Sequence, residues 1–371
     1  MENITKNNIN YTFKMLYIIA IFMVVDGHIG RYDYLSLNGL LRYQNYHLAL
    51  FMFASGYFLN LTKEPLQYVK SKLYRLILPL YLWNLIYGLI AHILNNYYNF
   101  SLGSPINLYN LLIAPLTDGH QFIYNMASWF LVPLFCLQIL SFFILKPFEK
   151  SKHIKEISLI FFILSILIYC LVVPIAPQNN AQRNFSLLFF RTIYFFPSFA
   201  FGFLYKKMLE KHDTLNSPIY FFITLLAYTT ISILYPNHTH TPSWLNDFYA
   251  PPLATLLITI LAILFWLRIA KILAPIVKKS KTLTTISNNT FAIMMHHFIG
   301  FMIIKATISP FFKDFDHHQF HNNIWYNYFP YSESLTSWIY IFITIVISLL
   351  ISFTTKRFYD IIKRNIKHLL W

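Results

Sequence analysis

His28 closes an apolar run, Phe13 to Val25, that is interrupted only by Lys14 and Tyr17. An imidazole at the end of such a run is costly to keep unless it is solvated, paired or used. If used, it suits a general base: an unperturbed imidazole titrates near pH 6.5, and taking the proton from a hydroxyl is worth roughly 10²–10⁴ in rate. The alternative is an interfacial histidine that meets water or a neighbouring helix. Asp26 shares no helical face with His28, so it orients the imidazole only if the helix has already ended. A second histidine, His47, opens the next apolar run, which continues through Leu59. Within that run Ser55 and Gly56 are small enough to let another helix approach closely. A covalent intermediate on Ser55 is the competing reading.

These residues must be positioned by helices in lipid. A spanning helix takes about 20 apolar residues, and ten such runs are present: 12–28, 46–62, 76–95, 127–146, 157–175, 187–205, 218–235, 251–268, 290–309 and 337–355. With the N-terminus in the cytoplasm, all 29 Lys and Arg residues except Arg31, Arg42, Arg183, Arg191, Lys305 and Lys313 fall on the inner side. That bias is the positive-inside pattern, and one helix more or fewer would scramble it. The expected fold is therefore all-α: one polytopic domain of about ten transmembrane helices over residues 1–371, both termini cytoplasmic, with no separate soluble domain.

Composition excludes several classes. The 371 residues are 57% hydrophobic and only 12% charged, with mean hydropathy +0.49. A soluble domain carries about 25% charged residues, so lipid is the solvent for most of this chain. The net charge of +15 is spent on topology, and no nucleic-acid partner is expected. Cys136 and Cys170 both lie inside apolar runs, which indicates neither a disulfide framework nor a zinc site. His238, His240, His317, His318 and His321 sit in predicted outer loops and read as solvated, even with Asp314 and Asp316 nearby; no metal is expected. No cleavable signal peptide is evident, so the first helix is expected to persist as an anchor.

Several motifs recur in a recognisable order: Val24-Val25-Asp26-Gly27-His28, then His47 leading into LFMFASGYF, then Arg75-Leu76-Ile77-Leu78-Pro79. Ser128-Trp129-Phe130-Leu131, Phe196 to Gly202 and Ser287 to His296 follow. Together they resemble the membrane-bound acyltransferase-3 superfamily, and within it the sugar O-acetylase branch related to fucose 4-O-acetylase. One position departs from that pattern. Eleven residues before the helix-one histidine the family usually carries Arg or Lys, and here stands Tyr17. Lys14 lies near the same face about 21 Å from His28, a replacement cation one turn lower; otherwise the cation comes from another helix and Tyr17 offers only its hydroxyl.

The resemblance implies an acetyl-CoA-dependent O-acetyltransferase of the bacterial plasma membrane, with a cell-surface polysaccharide or lipid-linked sugar as acceptor. On that reading His28 is the base and His47 its neighbour in a short two-helix hairpin. Arg75, Lys72, Lys14 and Tyr17 serve the donor, Arg75 being suited to bidentate phosphate binding; for the lysines the competing reading is plain membrane anchoring. Trp129 and Asp26 serve the acceptor, Trp129 otherwise being an interfacial anchor. His296 is expected to make a structural hydrogen bond. The competing classes are a polysaccharide or small-solute transporter, which would want charged or broken helices around a midplane site, and a glycan polymerase, which would want an Arg-rich outer loop.

Overall fold

A computed structural model describes residues 9–29, 41–98, 102–176, 185–236, 242, 251–308 and 333–369. Each of the ten predicted apolar runs falls on a helix. The main helices are α1 (Tyr11–Gly27), α2 (His47–Tyr57), α3 (Pro65–Lys72), α4 (Leu78–Tyr98), α5 (Ala114–Thr117), α6 (Leu131–Leu145), α7 (Ile154–Val172), α8 (Phe185–Leu204), α9 (Ser217–Leu234), α10 (Pro252–Lys279), α11 (Lys281–Asn288), α12 (Thr290–Ile308) and α13 (Glu333–Leu369). A π-helical turn, Leu73–Ile77, joins α3 to α4. Among the described residues seven helical stretches are long and apolar enough to cross a membrane.

Helix α1 is apolar on every side, and its buried residues run from Phe13 to Asp26. A helix with no polar face belongs inside a bundle, and α1 packs against α2, α10, α11, α12 and α13. The periphery is built the other way round. Only 17% of the apolar window of α9 is buried, against 78% of that of α8, and side chains such as Phe222 and Ile233 on α9 face outward. Apolar side chains can cover the outside only where the surrounding solvent is itself apolar.

The helices on three predicted runs, 12–28, 46–62 and 290–309, are not among those seven, and the shortest of them departs furthest from a span. Residues 46–62 give an 11-residue helix, about 16 Å long, whereas the hydrocarbon core is about 30 Å thick. Helix α2 is therefore a short internal helix rather than a full span. It packs along α8 at backbone distance: a Cβ on Gly56 would lie 1.8 Å from the carbonyl oxygen of Phe199, and one on Gly202 would lie 1.9 Å from that of Phe53. Glycine at both positions lets the two backbones touch.

The connections segregate by charge. At one end Lys14 donates to Asn288 at 3.0 Å, Lys206 to the hydroxyl of Tyr57 at 2.9 Å, and Lys146 to the carbonyl of Leu61 at 2.6 Å. There too Arg268 and Lys271 pair with Asp213. Segments that the charge count puts on the inner side thus meet one another. The histidines of the candidate site lie at the far end of α1.

Candidate active site

Gly27 ends α1 and His28 caps it, with φ −88° and ψ −6°. The ring lies against His297 and Phe298 of α12, with centroids 4.9 and 4.7 Å away. Its Nδ1 is 2.8 Å from the carbonyl oxygen of Val24, one turn back. A carbonyl only accepts, so Nδ1 carries the proton and Nε2 is the basic nitrogen.

A 3-10 turn, Tyr43–Asn45, leads into α2. His47 stands on its first turn, and its Nδ1–H donates to the carbonyl of Tyr43 at 2.8 Å, so here too Nε2 is basic. The hydroxyl of Tyr43 donates to Asp26 Oδ2 at 2.8 Å, and the indole of Trp266 donates to Tyr46 at 3.0 Å. These bonds seat the start of α2 beside the end of α1.

Between them lies a cavity of about 150 Å³, close to the volume that accepts one six-membered ring. His28, Tyr43, Gln44 and His47 line it together with Trp129 and Pro242. Trp129 is backed by a cation: the guanidinium of Arg191 lies 4.4 Å from its ring. Arg191 is only 1% exposed. It donates to the carbonyls of Thr117 and Asp118 at 3.0 and 2.9 Å and to that of Pro242 at 3.1 Å. Beside it the Nδ1 of His120 is 2.8 Å from Asp118 Oδ1.

The cavity thus brings together His28, His47 and Trp129 of the residues singled out by sequence. Asp26 is not among the described residues lining it and holds Tyr43 instead. The four residues assigned to the donor are elsewhere. Lys14 bonds Asn288 at the start of α1, Tyr17 stacks on Phe51 at 5.9 Å, Lys72 lies 5.1 Å over the ring of Tyr68, and Arg75 is exposed on the π-helical turn. His296 is 2.7 Å from the hydroxyl of Tyr87, which fits a structural role. The outer-loop histidines at 238, 240, 317, 318 and 321 lie outside the described residues.

Sequence reasoning missed Tyr43, Gln44, Arg191 and His297. The first two fall in a connection with no periodicity to read. Arg191 counted as an outer-side charge, although an arginine inside an apolar run is itself a signal.

No curated protein and no solved structure matches this chain. The family model of the acyltransferase domain known as Acyl_transf_3 matches residues 11–357. That match begins at the first residue of α1 and ends inside α13, taking in the two-histidine cavity, and the chain therefore belongs to the membrane-bound acyltransferase-3 superfamily.

Proposed function

We propose that this acyltransferase moves an acetyl group from acetyl-CoA to a hydroxyl of an envelope glycan at the bacterial plasma membrane, as the sugar O-acetylase branch of its superfamily does. The observation that carries the reading is the cavity lined by His28 and His47 together. Both imidazoles hold their proton on Nδ1 against a backbone carbonyl, so Nε2 is the basic nitrogen of each, and both rings line one small space. Trp129, lying on the Arg191 guanidinium, offers an aromatic platform suited to the apolar face of a sugar ring.

In the proposed reaction the acceptor hydroxyl loses its proton to Nε2 of His28 as its oxygen attacks the thioester carbonyl. The tetrahedral intermediate collapses by breaking the carbon–sulfur bond. The acetyl ester stays on the glycan, and the coenzyme A thiolate takes the proton back from His28. His47 donates a hydrogen bond to the carbonyl oxygen once it is protonated, or orders the hydroxyl when neutral. The basic end of the bundle, with Lys14, Lys72 and Arg75, suits the phosphates of a cytoplasmic donor. Helix α1 links that end to the cavity, so the pantetheine arm would follow it.

The test is acetyl-CoA carrying a radiolabelled acetyl group, incubated with membranes that contain either the wild type or His28→Ala. Label should pass to glycan with the wild type and fall by about 10²–10⁴ with the variant. Equal labelling would remove His28 from the chemistry. Absence of label from both would remove acetyl-CoA as the donor.

A further inference from the structure

We infer that His297 is a positioning residue for His28, accepting a second bond from the Nδ1–H that Val24 also holds and so fixing the ring with Nε2 as its basic nitrogen. The inference rests on the acyl-transfer reading for its consequence, but its geometry stands independently. His297 lies on α12 and is fully buried, with 0% exposure. A buried imidazole in an apolar bundle is costly unless both nitrogens are engaged, and here both are.

The protons can be assigned from the acceptors. His297 Nδ1 is 2.7 Å from the carbonyl oxygen of Met294 and 3.2 Å from that of Ile293, so Nδ1 is its donor. His297 Nε2 is 3.0 Å from Nδ1 of His28, which is itself 2.8 Å from the carbonyl oxygen of Val24. If His297 donated from Nε2, Nδ1 of His28 would have to accept, and it would then face Val24 lone pair to lone pair. The arrangement that satisfies these contacts has the Nδ1–H of His28 shared between Val24 and His297. Such three-centre bonds are common in proteins.

This geometry has a consequence for rate. When His28 takes a proton on Nε2, the ring becomes a cation and its bond to the lone pair of His297 becomes charge-assisted, which strengthens it. The gain comes in the transition state and not in the resting complex, so it belongs to kcat rather than KM. Val24 alone would supply one acceptor where two are present. The neighbouring His296 points elsewhere, to Tyr87, because adjacent helical residues are about 100° apart.

The experiment uses full-length protein in lipid nanodiscs with ¹⁵N-labelled histidine, comparing wild type, His297→Gln and His297→Phe. Glutamine keeps an acceptor near the position of Nε2; phenylalanine keeps the ring and removes it. The ¹⁵N spectrum should show His28 with its proton on Nδ1 in all three proteins, because the Val24 carbonyl stays, with the Nδ1 resonance of the phenylalanine variant shifted by loss of the second acceptor and that of the glutamine variant close to wild type. Acetyl-transfer kcat should fall about 10- to 100-fold in His297→Phe with little change in acceptor KM, and the glutamine variant should recover most of it. A wild-type His28 protonated on Nε2, or a phenylalanine variant with unchanged Nδ1 resonance and kcat, would overturn the inference. The spectrum needs no turnover, so it reads the hydrogen bond even if acetyl-CoA proves to be the wrong donor.

Discussion

At the scale of single residues, the account turns on where protons sit. His28 and His47 each donate Nδ1–H to a carbonyl one turn back, so on both rings the basic nitrogen is Nε2. His47→Ala should therefore reduce transfer less than His28→Ala does, measured as kcat with the same labelled donor, because His28 alone carries the proton in the proposed step. Arg191 plays a different part. Its guanidinium ties Thr117, Asp118 and Pro242 together beneath Trp129. Replacement by Met would strand those carbonyls, at about 1–3 kcal/mol for each buried group left unsatisfied. Arg191→Met should lower the thermal unfolding temperature in detergent, whereas Trp129→Phe should leave it nearly unchanged and raise acceptor KM. His28 and His47 were legible because each stands at the end of an apolar run. His297 was not: two adjacent histidines in an apolar helix point about 100° apart, and nothing in their sequence says which one faces α1.

At the scale of elements, the precise placement of the two site histidines depends on α2 lying against α8. The backbones meet at Gly56 and Gly202, where any side chain forces one helix away from the other. Gly56→Ala and Gly202→Ala should each cost about 1–3 kcal/mol as overpacking, read as a lower unfolding midpoint, with a parallel loss of transfer because the helix that moves carries His47. The run 46–62 was read as a span because apolar residues buried in protein and apolar residues facing lipid look alike in sequence. Length decides between them, and 11 residues are too few to cross. At the other end, Asp213 joins α8 to α10. Burial alone would raise its carboxyl pKa, but hydrogen bonds from Lys271 and Tyr205 and the charges of Lys271 and Arg268 hold it below the ordinary carboxylate value. A depressed pKa contributes stability that is present above the unfolded value and is lost as pH falls through the folded one. Asp213→Asn should therefore destabilise the protein at neutral pH, and the gap from wild type should close below about pH 4, measured by thermal unfolding across that range.

At the scale of the whole molecule, charge and chemistry occupy opposite ends of one bundle. Lysines and arginines that the sequence assigns to the inner side bond Asn288, Leu61, Tyr57 and Asp213 at one end, and the histidine cavity lies at the far end of α1. This division was legible because the positive-inside bias acts on whole connections and survives errors of a few residues at helix ends. The cavity was not, since its walls come from segments as distant as Val24, Trp129, Pro242 and Met294. Cysteines placed at Lys150 and at Ser104 should differ in intact cells: a membrane-impermeant maleimide should label the second and leave the first untouched until the membrane is opened. Equal labelling of both would break the proposed sidedness.

The central claim, that the His28 imidazole takes the acceptor proton, is tested most directly by chemical rescue. Purified His28→Ala should transfer acetyl groups about 10²–10⁴ more slowly than wild type, and added imidazole, filling the space left beside the cavity, should restore part of the rate in proportion to its concentration. A variant that transfers at the wild-type rate without imidazole would contradict the account.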